Sequence, residues 1–407
     1  VISMQLIFRN PQFRMLWISY SLSDVGMISF VMIHGWLALT ITDSPFWVGA
    51  TVGVNGIGLC ISSLFSGVLV DRLDRRKLVI ASLIIQALTA FILAVFIFSD
   101  MVRIWHILLV GFLDGGMTSV KRPSQMALTL DVVGREKLLR AIAAHNFAMT
   151  VMGIICPLIG GVIISKLGIQ WAYIGIGLAF IFSSLVIPKI AIRNQNNNTL
   201  LSTPWQDMKL GIRYVFSTPI VRSLIILAII AETFAWSHEV MLPVMARDVF
   251  DIGASGLGYL LSIASAGAAL SMFVVSNIGD PKGKEKWLIF SYGLFGLFLI
   301  LFAASPWITI AMVLLALAYA SAQVYETALS TILQTVVHDS MRGRVLSFQV
   351  FTWGLTGIGG FYVGAIAEFV GAPSAIMLGG GIAFIVALLL IKKTHIFRDS
   401  VAVKHNE

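Results

Sequence analysis

A short, charged stretch of the chain reads Gly67-Val-Leu-Val-Asp-Arg-Leu-Asp-Arg-Arg-Lys77, with six charged residues among its last seven. Apolar runs near 46–70 and 78–98 flank it. Each run matches the roughly 20 residues that an α-helix needs to cross a hydrocarbon core of about 30 Å. Charge is costly inside that core, so the stretch belongs at a membrane–water boundary. This pattern predicts a hairpin of two membrane-spanning helices.

The same alternation of apolar runs and charged breaks continues in both directions from this hairpin. A span must satisfy its backbone hydrogen bonds internally in lipid, so each apolar run is predicted to be an α-helix. The predicted fold class is an all-α polytopic membrane protein with twelve transmembrane helices. The predicted spans lie near 13–41, 46–70, 78–98, 104–125, 141–165, 171–189, 220–242, 255–278, 287–304, 307–334, 345–367 and 374–392.

The composition argues against most other classes. Hydrophobic residues make up 58% of the chain and charged residues only 12%, too little charge to cover a water-exposed surface. The net charge of +8 arises in the short breaks, without a basic face, so no nucleic-acid partner is expected. Cys60 and Cys156 have no metal-ligand spacing, so no metal or cofactor is expected. The sequence contains no phosphate-binding G-x-x-x-x-G-K-[ST] loop and no nucleophile–base motif, so an enzyme is not predicted.

The basic residues predict the orientation of the spans. If the N-terminus is cytoplasmic, all of the 28 lysines and arginines except Arg103, Lys166 and Arg247 lie in or beside cytoplasmic breaks. Cytoplasmic loops of membrane proteins carry an excess of these residues. We therefore expect a multi-pass protein of the bacterial inner membrane with both termini in the cytoplasm.

The two halves of the chain resemble each other. Pro11-x-x-Arg14 recurs as Pro219-x-x-Arg222 at an offset of 208 residues, and Gly153 recurs as Gly357 at an offset of 204. Such repeats indicate duplication of a six-helix unit, as in transporters built from parallel repeats. The predicted domains are a six-helix bundle at 1–190, a cytoplasmic linker at 191–218, a second six-helix bundle at 219–395 and a cytoplasmic tail at 396–407.

The linker is predicted to hold a short amphipathic helix on the membrane surface. Its apolar residues recur at helical spacing; they are Trp205, Met208, Ile212, Val215 and Phe216. The alternative for its last turn is an extension of the seventh span.

The stretch that begins at Gly67 is similar to a loop signature of the major facilitator superfamily, with Asp74 in place of the second glycine. The resemblance implies the major facilitator fold, with two six-helix pseudo-repeats. It also implies a cytoplasmic gate, in which Asp71 lies beside the start of helix 11, near Arg342 and Arg344. Helix dipoles stabilise carboxylates at such positions. An ordinary basic loop is the alternative. The implied gate residues are Gly67, Asp71, Arg72, Arg75 and Arg76.

The fifth span resembles the antiporter motif of superfamily exporters, with Cys156 in place of a glycine. The resemblance favours export over uptake. Small residues also let helices pack closely in lipid, so a purely structural role is the alternative. The motif residues are Gly153, Pro157, Gly160 and Gly161.

Further elements narrow the resemblance to the exporter branch that includes enterobactin (siderophore) exporters and macrolide efflux pumps. They are Phe8-Arg-Asn-Pro-Gln-Phe-Arg14, Leu113-Asp-Gly-Gly116, Gly134-Arg-Glu-Lys-Leu138, Leu333-Gln-Thr335 and Arg342-Gly-Arg-Val345. The resemblance implies a monomeric secondary transporter that exports a small organic molecule, such as a siderophore-like metabolite, by proton-coupled alternating access. The alternatives are a multidrug or macrolide antiporter, an uptake permease, and a non-transporting membrane scaffold or sensor.

In the architecture that the resemblance implies, spans 1, 4, 7 and 10 line a central cavity. Each of these spans contains a carboxylate, although an ionisable group inside a membrane costs roughly 3 kcal/mol or more. Burial favours the neutral form of a carboxylate, so these groups are candidates for proton coupling or substrate binding. A structural ion pair with Lys121 or Arg122 is the alternative. The four candidates are Asp24, Asp114, Glu232 and Glu326.

Three more polar residues lie towards the outer ends of spans 1 and 7. They are His34, His238 and Glu239. They are candidates for an outer gate, a proton relay or a weak metal site, and simple solvation is the alternative.

Overall fold

A computed structural model describes residues 7–190, 204–278, 283–337 and 354–391, with the single residues 341, 345 and 352. The described secondary structure is helical throughout, and no strand occurs in these ranges. The first six helices are α1 (Pro11–Thr42), α2 (Pro45–Arg72), α3 (Arg75–Phe98), α4 (Ile104–Val133), α5 (Arg135–Lys166) and α6 (Ile169–Val186). After a linker helix (Pro204–Ser217) follow α7 (Pro219–Val249), α8 (Gly253–Ile278), α9 (Lys284–Ala304), α10 (Ile308–Val336), α11 (Thr356–Val370) and α12 (Ala372–Ile391).

Ten of these helices contain apolar segments long enough to cross a membrane. The other two are α4, whose apolar run is interrupted by Asp114 and Lys121, and α11, of which 15 residues are described. Each predicted span overlaps with one of the twelve numbered helices, although span 345–367 is described only in its second half. The all-α polytopic fold class is therefore confirmed, and the predicted count of twelve is consistent with the described helices.

The α3 helix shows why these helices require lipid on their outer face. Its inner face packs against the protein, and Leu83, Ala87 and Ala90 on this face are fully buried. Its outer face carries Leu88 and Val95, which are 52% and 60% exposed. A helix that is apolar on both faces is suited to a bilayer, because lipid tails solvate the residues that the protein does not cover.

The α7 helix is irregular. It begins as an α-helix at Pro219–Ile230, continues as a π-helical turn at Ala231–Ala235, and then tightens to a 3₁₀ segment at Trp236–Met241. π-helical turns of this kind occur frequently at functional sites. The turn at Ala231–Ala235 contains Glu232, one of the predicted cavity acids.

The linker helix is separate from α7. It ends at Ser217, and α7 begins at Pro219 after the single residue Thr218. Proline is favoured at the first position of a helix, because its missing N–H would have no partner there. The linker thus contains a helix whose last turn does not continue into the membrane-spanning helix. Its position on the cytoplasmic membrane surface stays a prediction.

The chain packs as two compact units. Unit 1 comprises Val1–Asp43, Val54–Leu200 and Ile252–Ser262, and unit 2 comprises Ser44–Gly53, Leu201–Asp251 and Ile263–Glu407. The helices α2 and α8 therefore contribute residues to both. The predicted division into bundles at 1–190 and 219–395 follows chain order rather than packing, and it stays a prediction.

Small residues bring helices close together within each unit. In unit 1 the hydroxyl of Ser19 on α1 donates to the carbonyl oxygen of Ser183 on α6 at 2.9 Å, and Ser183 donates back to the carbonyl of Ser19 at 2.8 Å. In unit 2 a Cβ added at Gly380 of α12 would lie 2.7 Å from the carbonyl oxygen of Gly296 on α9. Small residues permit this close packing of helix backbones, which stabilises helix pairs in lipid.

The α9–α12 contact yields a test with an internal control. Gly380→Ala should lower the thermal stability of the purified protein by about 1–3 kcal/mol, because the added methyl overpacks a closed contact. Gly381→Ala changes the next residue of the same helix, where a Cβ would meet nothing within 4 Å. Thermal unfolding in detergent should therefore leave the Gly381→Ala variant unchanged. Equal stability of the two variants would contradict the close contact.

Candidate functional site

A hydrogen-bonded bridge joins a carboxylate and an ammonium inside unit 1. Asp114 of α4 accepts from the side-chain amide of Gln86 on α3 at 2.6 Å and from that of Asn55 on α2 at 3.3 Å. The oxygen of the Gln86 amide accepts from Lys121 at 2.7 Å. Asp114 is 6% exposed and Lys121 is 2% exposed. One amide thus links two buried ionisable groups of opposite sign. Such groups need hydrogen-bonded partners when they are removed from water.

Two further contacts hold this bridge in place. The Lys121 nitrogen lies 5.0 Å from the centre of the Phe180 ring on α6, within the range of a cation–π interaction. Asn55 also donates to the carbonyl oxygen of Gly111 at 3.0 Å, one turn before Asp114. A Cβ at Gly115 would lie only 2.0 Å from the carbonyl oxygen of Asn55. The glycine therefore allows α2 to come close enough for its amide to reach Asp114.

Asp24 of α1 is held more loosely in the same unit. It is 8% exposed, and its closest ion-pair partner is His145 of α5, whose Nδ1 lies 3.5 Å from the carboxylate. That distance is longer than a normal hydrogen bond, and this carboxylate oxygen makes none with the residues that the structure describes. Unit 1 therefore holds Asp114 in a hydrogen-bonded bridge to Lys121 and leaves Asp24 with one long contact to a histidine.

The acids of unit 2 have a different environment. Glu232 lies in the π-helical turn of α7, is 6% exposed, and accepts a hydrogen bond of 2.6 Å from the hydroxyl of Thr356 at the start of α11. Two further glutamates of unit 2, Glu239 and Glu326, lie on α7 and α10. Within the described ranges, no lysine or arginine lies within ion-pair distance of any of these three glutamates. In the part of the chain that the structure describes, these three acids therefore have no ion-pair partner.

The two predicted outer histidines lie in different units. His34 is 4% exposed in unit 1, where its ring nitrogens lie 3.0 Å from the Tyr173 hydroxyl and 3.0 Å from the Ile107 carbonyl oxygen. His238 is 1% exposed in unit 2, and its Nδ1 lies 2.7 Å from the carbonyl of Ala235. Their role in an outer gate with Glu239 stays a prediction. Among the described residues, no group of histidines, cysteines and acids could hold a metal ion.

The predicted cytoplasmic gate motif is only partly described. Asp74 is the N-cap of α3, and its side chain accepts a hydrogen bond from the backbone N–H of Arg76 at 2.8 Å. Aspartate is a favoured N-cap residue, which explains why it can replace the second glycine of the loop signature. Arg75 forms an ion pair of 2.6 Å with Asp131 of α4. Asp71 lies in the last turn of α2. Its expected partners, Arg342 and Arg344, lie outside the described residues, so the gate stays a prediction.

The antiporter motif lies in a close helix contact within unit 1. A Cβ at Gly161 of α5 would lie 2.7 Å from the carbonyl oxygen of Ala254, and a Cβ at Gly258 of α8 would lie 2.4 Å from that of Pro157. The Ser262 hydroxyl donates to the carbonyl of Ile154 at 2.7 Å. Close packing of α5 against the first part of α8 therefore accounts for small residues in this motif. Whether the motif also determines export stays a prediction.

The neutral partners of the acids were not predicted from the sequence. Gln86, Asn55 and Thr356 each hydrogen bond to a buried carboxylate. The signal that could have indicated Gln86 and Asn55 is their type, because an amide within an otherwise apolar span needs a hydrogen-bond partner. Asp131 could have been found because it is an acid shortly after predicted span 4, on the same side of the membrane as the arginine-rich break at 72–76.

Comparison with known proteins agrees with this fold. The family described as "Transmembrane secretion effector" matches residues 3–404. The enterobactin exporter EntS of Salmonella choleraesuis is 24% identical over 403 residues, covering 96% of this chain and 94% of the relative. The Shigella flexneri EntS is 25% identical with the same coverage.

Solved structures show the same fold. The nucleoside transporter NupG superposes with a TM-score of 0.76 at 13% identity, covering 94% of this chain and 98% of that one. A bacterial homologue of the iron transporter ferroportin superposes with a TM-score of 0.70 at 14% identity, covering 92% and 98%. At this level of identity the likeness concerns the fold alone.

The Gln86 bridge predicts a specific stability loss. Gln86→Met keeps the volume of the side chain but removes the amide between Asp114 and Lys121. Each buried group left without its hydrogen bond should cost about 1–3 kcal/mol, so the thermal unfolding temperature of the purified protein should fall. Gln334→Met is the control, because Gln334 is exposed and bonds only to Ser330 of its own helix. A Gln86→Met protein as stable as the control would show that the bridge is energetically unimportant.

Proposed function

We propose that this chain, which belongs to the transmembrane secretion effector family of the major facilitator superfamily, exports a small organic molecule across the bacterial inner membrane. The observation that supports this most strongly is the match of the whole chain to a secretion family whose similar relatives include enterobactin exporters. Transport by this fold is secondary, and the chain contains no ATP-binding loop. Both termini are proposed to lie in the cytoplasm, as the distribution of basic residues predicts.

The proposed cargo is a siderophore-like metabolite. The relatives that suggest it share the entire length of the chain. At 24–25% identity the fold is retained while the residues that contact cargo are free to change. The cargo is therefore proposed from the relatives and needs a direct test.

A second candidate cargo is an amphipathic cation, as in multidrug or macrolide efflux. The observation that favours it is the environment of Glu232, Glu239 and Glu326, which have no lysine or arginine within ion-pair distance among the described residues. Aromatic side chains also occur on these helices: the ring centres of Trp236, on the turn that follows Glu232, and Tyr319 lie 5.5 Å apart. Carboxylates and aromatic rings together attract organic cations.

The same charge balance supports a proposal about proton coupling. A buried carboxylate without a neighbouring cation must bind a proton or a cationic group in at least one state of the transport cycle. Asp114 is connected to the ammonium group of Lys121 through hydrogen bonds to the side chain of Gln86. Glu232 and Glu326 therefore precede Asp114 as proposed proton carriers. Asp24, with its single long contact to His145, is the proposed carrier in unit 1.

The cargo can be tested in a deletion strain grown without added iron. If the cargo is a siderophore-like metabolite, it should accumulate in the cells and fall in the medium, and the wild-type gene should restore secretion. The Glu232→Gln gene is the matched comparison, and it should fail to restore secretion while the protein is present in the membrane. An unchanged metabolite profile combined with hypersensitivity to macrolides would favour the amphipathic-cation candidate instead.

The coupling proposal can be tested in proteoliposomes. Glu232→Gln keeps the side-chain volume but fixes the site as neutral, so proton-gradient-driven transport should fall to the level of protein-free liposomes. Exchange of cargo without a gradient should survive. Glu285→Gln, at the start of α9, is the control and should transport like the wild type.

Two other outcomes of that experiment are informative. Loss of both transport modes in Glu232→Gln would indicate that the carboxylate binds a cationic group of the cargo. Normal gradient-driven transport by both Glu232→Gln and Glu326→Gln would contradict the assignment of coupling to unit 2.

A further inference from the structure

A basic cavity lies at the start of α1 and α5 in unit 1, at the cytoplasmic end of these helices in the proposed orientation. Its volume is about 450 Å³, and it is lined by Ile7, Arg9, Asn10, Lys137 and Arg140. The two sequence elements that meet here, Phe8–Arg14 and Gly134–Leu138, carry no part of the proposed transport mechanism.

The walls of the cavity are fixed by packing. A 3₁₀ turn at Ile7–Arg9 precedes α1, and Ile7 is 2% exposed in a small apolar cluster with Phe13 and Ala144. The indole N–H of Trp17 on α1 donates to the carbonyl oxygen of Ala144 on α5 at 3.0 Å. These contacts hold the turn and the two helix starts together. The cavity is therefore part of the folded unit.

Three cations line the cavity. In the described part of the chain, no carboxylate lies within ion-pair distance of Arg9, Lys137 or Arg140. The oxygen of the Asn10 side chain accepts from the backbone N–H of Gln12 at 2.9 Å, which leaves its NH₂ group as a further donor. Three cations and an amide donor around one cavity form a site for an anion with several acceptor oxygens.

Apolar side chains are exposed on both helices that begin at the cavity. Leu139 and Phe147 of α5 are 78% and 63% exposed and lie about 12 Å apart along the helix. Ile18 of α1 is 47% exposed. A soluble anion would gain nothing from this surface. The acyl chains of a lipid could lie along it while the headgroup occupies the basic cavity.

We propose that this cavity binds the phosphodiester headgroup of an anionic phospholipid, with Arg9, Lys137 and Arg140 neutralising the phosphate. Basic pockets between transmembrane helices on the cytoplasmic side are suited to such headgroups. The site is independent of the cargo and of the coupling acids, so it goes beyond the proposed transport function.

The proposal is tested on the full-length protein in mild detergent. Native mass spectrometry measures how much phosphatidylglycerol and phosphatidylethanolamine remain bound. Retention of phosphatidylglycerol should weaken about fivefold for each cation removed, and about a hundredfold in the triple variant Arg9→Gln, Lys137→Gln, Arg140→Gln. Phosphatidylethanolamine should be retained weakly by both proteins. The charge-retaining variant Arg140→Lys should bind phosphatidylglycerol like the wild type.

A matched control removes three exposed cations elsewhere on the proposed cytoplasmic side, by Lys77→Gln, Lys189→Gln and Arg213→Gln. This protein should keep its phosphatidylglycerol. An equal loss in the control would show that general surface charge binds the lipid, and would overturn the site. Displacement of the lipid by excess inorganic phosphate would assign the cavity to a free phosphate instead. If the triple variant does not fold, Arg140→Gln alone should still show the fivefold loss, and its absence would contradict the proposal.

Discussion

Lipid provides no hydrogen bonds, so every polar group inside the membrane must find its partner within the protein. The amide of Gln86 meets this requirement for two groups at once, since its nitrogen donates to Asp114 and its oxygen accepts from Lys121. An amide can do this because it carries both donors and an acceptor. The bridge lets α3 and α4 pack as apolar helices although α4 contains a carboxylate and an ammonium.

The same requirement is met differently in unit 2. Glu232 accepts a hydrogen bond from the neutral hydroxyl of Thr356, and no lysine or arginine of the described residues lies within ion-pair distance of it. A neutral donor satisfies one oxygen but does not balance a charge. Among the described residues, the acids of the two units thus differ in charge balance. This inequality is the physical basis for assigning different roles to their acids.

The fold could be predicted from sequence because the bilayer imposes its own length scale and charge rule. The apolar runs of roughly 20 residues, separated by charged breaks, predicted spans that overlap with α1–α12. The candidate acids were also predictable, since a carboxylate in an apolar run is conspicuous. Their partners were not, because Gln86 lies 28 residues from Asp114 and Thr356 lies 124 residues from Glu232. Such pairs follow from helix packing, which the periodicity of a single helix does not encode.

The helix that holds Glu232 connects this charge balance to movement. A π-helical turn widens the backbone and is followed here by a tighter 3₁₀ segment, so α7 changes its winding within eleven residues. Irregular backbone at membrane depth is tolerated where it is buried in protein or lines a cavity. A carboxylate on such a turn can shift with a small change in winding, whereas Asp114 lies on a regular helix and is held by two amides. Among the described residues, the carboxylate without an ion-pair partner is therefore also the one on the less regular backbone, and both features support its proposal as the proton carrier.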